Sequence, residues 1–220
     1  MITELLFLSV ICIDLFFIYL AWRFGKLYLA VTLVMNIVLT VIFAGQIVQL
    51  FGTMVGLSAL FFAPVFVITN MVNERYGKTE AKRMMHIGLF SLVVLLALLY
   101  LGTSIPSSLE TAEMSDALAI LFHISVRMVF GTIITYYVAQ QITIYLYRKI
   151  GDLTKGKLLW LRHNAAIIIA LAADSILFYP IAFYGNVSLE TLLTITITGW
   201  LIKCLVPILA TPITYLIKRR

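Results

Sequence analysis

The sequence predicts an all-α integral membrane protein: a single polytopic bundle of about seven transmembrane helices with its C-terminus in the cytoplasm. Three observations lead there. Hydrophobic residues make up 62% of the chain and charged residues 12%, against about 45–50% and about 25% in soluble domains. Apolar runs of about 20 residues, the length a helix needs to cross hydrocarbon, recur along the chain. Lys and Arg collect in alternate gaps between those runs. With a mean hydropathy of +1.06, the chain lacks the polar surface to cover a water-soluble globule, so lipid is its solvent.

Seven runs qualify as spans: 3–22, 27–50, 54–73, 84–105, 118–147, 164–184 and 191–217. The first has no cationic leader and no small-residue cleavage site before Trp22-Arg23, so it reads as a retained helix. It either crosses the bilayer or lies partly in the interface. Gly45, Gly52 and Gly56 leave the boundaries among the first three spans soft. No period of 20–50 residues repeats, and no linker separates two domains.

The cations fix the orientation. Arg23 and Lys26 lie between spans one and two, and Arg75, Lys78, Lys82 and Arg83 between three and four. Arg148, Lys149, Lys155, Lys157 and Arg162 lie between five and six, and Lys218, Arg219 and Arg220 close the sequence. All four places fall on one side of a seven-span chain. The opposite gaps carry Glu110, Glu113, Asp116 and Glu190 instead. By the excess of cations in cytoplasmic loops, the N-terminus is outside and the C-terminus inside.

The net charge of +6 does not point to nucleic acid, because the basic residues sit in short clusters between spans, not on one solvated face. Cys12 and Cys204 lie inside apolar runs and read as small buried hydrophobes. Nor is there an H-E-x-x-H, a G-x-S-x-G, a phosphate-binding loop or a His–carboxylate cluster at metal spacing. No enzyme activity, cofactor or metal is expected.

Four charges lie deep inside the spans: Asp14, Arg127, Asp174 and Lys203. Each lies near the membrane midplane, where a charge costs at least about 2.5–3.5 kcal/mol. Such residues face a partner or a watery cavity. For Asp14, pairing with a neighbouring helix is an adequate account. Arg127, Asp174 and Lys203 read better as a site, since buried ion pairs rarely add net stability over apolar packing.

At helical spacing His123, Arg127 and Gln141 share a stripe of span five, and Thr196, Lys203 and Thr214 share one of span seven. His86 and His123 read as interfacial residues. Pro64, Pro180, Pro207 and Pro212 interrupt spans three, six and seven. Helices broken at mid-depth are a recurring feature of transporter sites, although kinked packing helices carry prolines too.

The stretch F-A-P-V-F-V-I-T-N-M-V-N-E-R-Y-G-K at 62–78 resembles the signature of the vitamin uptake transporter-like family. So do S-V-R-M at 125–128 leading to Ala139-Gln140, then W-L-R-H-N at 160–164, A-D-S at 173–175 and I-A-F at 181–183. Lys203 and P-I-T-Y at 212–215 complete the pattern. The resemblance covers roughly residues 36–217. It implies a six-helix core, here 27–220, preceded by an extra helix within 1–26. The family's best-known members import queuosine precursors, 7-cyano-7-deazaguanine and related deazapurines.

Carried over, the family's polar positions correspond to Asn70, Glu74, Arg127, Gln140, Asp174 and Lys203. The stripe with Arg127 selects Gln141, whereas the resemblance selects Gln140. Three departures bear on substrate: Asn70 and Thr143 stand where the family favours Asp, and Leu171 where it favours Gln or Asn.

The implied function is import of a small planar heterocycle by proton-coupled secondary transport. Asp174, and after it Glu74, would carry the proton, while Phe62, Phe66, Phe178 and Trp200 are candidates to stack on the ring. The alternatives are a substrate-binding membrane subunit working with a separate ATP-driven module, or a transporter of another vitamin or nucleobase. The expected partners are the small-molecule substrate and the bilayer, and a homodimer is compatible with the sequence.

Overall fold

The computed structural model describes residues 2–44, 46–106, 108, 113, 116–117, 126–185 and 187–218. Glu110, His123, Arg219, Arg220 and the first part of the fifth expected span, 118–125, lie outside the described residues. Among the described residues the chain forms seven α-helices and one β-hairpin. The helices are α1 (Ile2–Phe24), α2 (Lys26–Ile42), α3 (Ala59–Tyr76), α4 (Lys78–Thr103), α5 (Val126–Leu153), α6 (Leu159–Phe183) and α7 (Leu189–Lys218). Consecutive helices pack against one another.

Four of the helices, α1, α4, α6 and the Leu189–Leu216 part of α7, are long and apolar enough to cross a membrane. α2 is apolar but has 17 residues. Helix α3 is the axis of the bundle, packing on α1, α2, α4, α5, α6 and α7. Every residue from Ala59 to Asn73 is buried, as expected of a helix surrounded on all sides.

Helix α4 is the contrasting case. Ala81, Met84, Met85, Gly88, Leu92 and Leu96 form one buried stripe, while Phe90, Leu98 and Leu101 are exposed. An apolar helix with only one buried face is one that shows the other to lipid. Gly88 lets Tyr136 of α5 close onto α4: an added Cβ would sit 2.0 Å from the tyrosine oxygen, which donates to the Met85 carbonyl at 3.3 Å.

One expectation needs correction. The run 27–50 is not a single span, for α2 ends at Ile42. Beyond it, strands β1 (Ile47–Leu50) and β2 (Thr53–Gly56) pair antiparallel, Val48 opposite Val55. Phe51 and Gly52, with φ of 50° and 77°, make the tight turn. Positive φ at both central positions is the turn whose twist suits a two-residue hairpin. The β-branched Ile47, Val48, Thr53 and Val55 flanking that turn favour strand over helix, a preference that counting apolar residues does not register.

Pro64, Pro180, Pro207 and Pro212 do not break their helices, which run continuously through all four. Pro207 does deprive the Lys203 carbonyl, four residues earlier, of its intrahelical donor.

The basic connections meet at one end of the bundle. Lys26 bonds Glu80 at 2.6 Å, Arg83 also pairs with Glu80, and the Arg75 guanidinium lies 5.0 Å from the Trp22 ring centroid. The α3–α4 turn there needs Gly77, whose φ of 89° disfavours a side chain. The hairpin and the α6–α7 turn lie at the opposite end.

Candidate functional site: a mid-depth cavity floored by an ion pair

A cavity of about 410 Å³ lies between α2, α3, α5, α6 and α7. Its rim includes Ile47, Met54 and Gly56 of the hairpin and Phe183, Val187 and Thr191 near the α6–α7 turn, so it reaches the end opposite the basic one. The walls are mostly apolar, with hydroxyls from Thr40, Ser58, Thr132 and Thr135 among them. Asp174 and Lys203 are the charged lining residues. Small-molecule sites of about 300–1,000 Å³ with a few placed polar groups have this character.

The pair is tightly built. Lys203 Nζ lies 2.8 Å from Asp174 Oδ2, with side-chain exposures of 8% and 4%, and 3.5 Å from Ser175 Oγ. Its ammonium is also 5.4 Å from the Phe62 ring centroid and 5.7 Å from that of Tyr179. A cation between two aromatic faces gains from both ring quadrupoles. Gly199, one turn before Lys203, makes room for this: a Cβ there would sit 2.2 Å from the Tyr179 oxygen.

Phe62 and Phe178 line the cavity as expected. Phe66 does not; it is fully buried, edge-on to Phe62 at 5.3 Å. Trp200 is not a lining residue either. Its indole N–H donates to the Ile168 carbonyl at 3.0 Å and fastens α7 to α6.

Arg127 stands apart from the pair. It is exposed on α5 and donates from Nη1 to the Tyr184 carbonyl at 3.1 Å. It is not among the residues that line the cavity.

The remaining predicted residues lie toward the basic end. Asn70 and Glu74 line a small void of about 10 Å³ with Tyr147, His163 and Thr214. Asn70 is 3.4 Å from Thr143 Oγ1 and 3.5 Å from the His163 carbonyl, so two of the departures from the family pattern are in contact. Glu74 accepts from Arg162 at 2.5 Å and from the Tyr147 hydroxyl at 2.9 Å.

Gln140 is fully buried, and neither its Oε1 nor its Nε2 has a partner. Gln141 is partly exposed and bonds Tyr137 at 3.2 Å, so of the two it is Gln140 that faces the interior. His86 is exposed. Asp14 takes the structural alternative, accepting from Asn36 of α2 at 3.1 Å.

Sequence reasoning passed over Arg162, Tyr147 and His163. From sequence Arg162 reads as one of the orienting cations, although it lies inside the W-L-R-H-N segment. It is in fact a buried residue of α6.

An apolar-faced helical bundle enclosing a ligand-sized cavity with an ion pair at its floor defines a polytopic membrane protein of the small-molecule transport class. Comparison with known proteins gives the particular family. Residues 55–217 match the family described as "Putative vitamin uptake transporter", and the chain belongs to that family. It is 28% identical over 199 residues to a Bacillus subtilis (strain 168) protein named "Probable queuosine precursor transporter", covering 89% of this chain and 86% of that one. No solved structure matches it.

Proposed function

We propose that this protein imports a small planar heterocycle, a 7-deazapurine queuosine or archaeosine precursor such as 7-cyano-7-deazaguanine, by proton-coupled secondary transport. The observation that carries the reading is that Asp174 and Lys203 are the charged groups lining a cavity otherwise walled by apolar and hydroxyl side chains. Together they match the edge of a guanine-like ring: the carboxylate accepts from its ring N–H and exocyclic amine, and the ammonium donates to its carbonyl oxygen. Phe62, Phe178 and Tyr179 offer faces to the ring.

Asp174 is the proton carrier in this scheme. Ionised, it holds Lys203; protonated, it releases the lysine to the substrate as access changes. The cationic connections gathered at one end support an outside N-terminus and a cytoplasmic C-terminus. The cavity then faces outward.

Two experiments test the proposal. Purified protein should gain thermal stability with 7-cyano-7-deazaguanine and not with adenine, biotin or riboflavin; stabilisation by a vitamin instead would replace the substrate. In liposomes holding this chain alone, an imposed proton gradient should drive uptake of the labelled base. Uptake independent of the gradient would remove the coupling.

A further inference from the structure

The cavity stops at Asp174 and Lys203, yet polar side chains continue below it toward the basic end. On α3 the residues Phe62, Phe66, Asn70 and Glu74 follow at four-residue intervals on one stripe. Phe62 lines the cavity, and Asn70 and Glu74 line the inner void. On α5, Thr135 lines the cavity and Tyr147 the void, with Gln140 and Thr143 between them in sequence. On α6 the same descent runs from Asp174 to His163 and on to Arg162.

Apolar packing does not account for these groups. Both amide atoms of Gln140 and Nε2 of His163 are buried without a hydrogen-bond partner. Asn70 reaches Thr143 and the His163 carbonyl only at 3.4 and 3.5 Å, the outer limit of such contacts. A buried polar group left unbonded is costly and calls for an explanation. Use in another conformation supplies one.

Toward the basic end the descent is shut by a latch. Glu74 of α3 accepts from Arg162 of α6 and from Tyr147 of α5. The Arg162 guanidinium lies 5.1 Å from the Tyr147 ring centroid. Arg148 donates to the Asn73 side chain at 2.8 Å and to its carbonyl at 2.7 Å. Three helices that wall the cavity are thereby tied together.

We propose that Gln140, Asn70, Thr143 and His163 form a second, inner station for a planar heterocycle, sealed in this conformation by the Glu74–Arg162–Tyr147 latch acting as a gate. An amide that can both donate and accept suits a ring edge presenting both kinds of group. The station rests on the transport reading above; the gate can be tested without any substrate.

The test uses a Cys12→Ala/Cys204→Ala background with one added cysteine, at Thr143 for the station or Thr132 for the cavity. Membranes are labelled from each face with an impermeant maleimide. Thr143→Cys labels slowly in the parent and about tenfold faster from the basic-end face with Glu74→Gln, a population shift of the size a lost charged bond produces. Exchanging the charges, Glu74→Arg with Arg162→Glu, restores slow labelling. If Glu74→Gln does not fold, Tyr147→Phe keeps the ion pair and gives a smaller acceleration of the same sign.

Unchanged labelling in the latch variants, or no restoration by the charge exchange, overturns the gate. In the Glu74→Gln background, 7-cyano-7-deazaguanine protects both cysteines from labelling. Protection at Thr132 without protection at Thr143 overturns the station. Protection at neither overturns the substrate reading on which the station depends.

Discussion

Asp174 of α6 and Lys203 of α7 meet at 2.8 Å at the floor of the cavity, with the rings of Phe62 and Tyr179 flanking the ammonium. The two residues are 29 positions apart on antiparallel neighbours, so the pair joins two helices as well as presenting charge to a ligand.

The joined roles separate on mutation. Asp174→Asn keeps the size and one acceptor for Lys203, and is expected to lower stability by about 1–3 kcal/mol while abolishing uptake. Lys203→Met strands a buried carboxylate and should cost more, about 3–5 kcal/mol. Combining the two substitutions restores stability but not uptake. Thermal unfolding and labelled-base accumulation in cells check each arm. Normal accumulation by Asp174→Asn would take that residue out of the mechanism.

How far the sequence disclosed this site differs residue by residue. Asp174 and Lys203 stood out because a charge in an apolar run is conspicuous whatever the fold. Arg127 stands out for the same reason, yet it is exposed and bonds the Tyr184 carbonyl instead of the pair; a charge in an apolar run does not by itself reveal which neighbours it meets. Glu74 was picked out but its partners were not. Arg162 follows a loop carrying Lys155 and Lys157, so its cation looked like one more orienting charge, and nothing local tells a buried arginine from a solvated one. The hairpin at 47–56 was masked by its own hydrophobicity. Length and apolarity fit a helix continuing to residue 50, and only the β-branched residues around Phe51-Gly52 argued otherwise.

Gly199 sets how close Tyr179 comes to Lys203. A Cβ at 2.2 Å from the tyrosine oxygen forces the ring to move, so Gly199→Ala should already disturb the site and Gly199→Val more so. Overpacking of this kind costs about 1–3 kcal/mol. The expected signature is a loss of base-induced thermal stabilisation greater than the loss of intrinsic stability. Equal losses would make Gly199 a packing residue only.

Gln140 offers the reverse trade. Gln140→Leu removes two unbonded buried atoms and keeps a similar volume, so stability should hold or rise by about 1 kcal/mol. Uptake should fall sharply even so. A variant that is more stable yet inactive marks a side chain kept for function. If uptake survives intact, Gln140 is not on the path.

Asp14 provides the control for the whole assignment. Like Asp174 it is a carboxyl within an apolar helix, but its partner is the Asn36 amide at 3.1 Å, and its other oxygen is buried without one. Neither Asp14 nor Asn36 lines the cavity. Burying an ionised carboxylate opposite a neutral amide is unfavourable, so a neutral side chain of equal size should fit at least as well. Asp14→Asn is therefore expected to leave uptake near normal and stability equal or slightly higher, opposite to Asp174→Asn on both counts. Measured side by side in the same cells, the two substitutions separate a helix-pairing carboxyl from a transporting one. Loss of uptake in Asp14→Asn at full expression would place the proton pathway along α1 and α2 and displace Asp174 from its role.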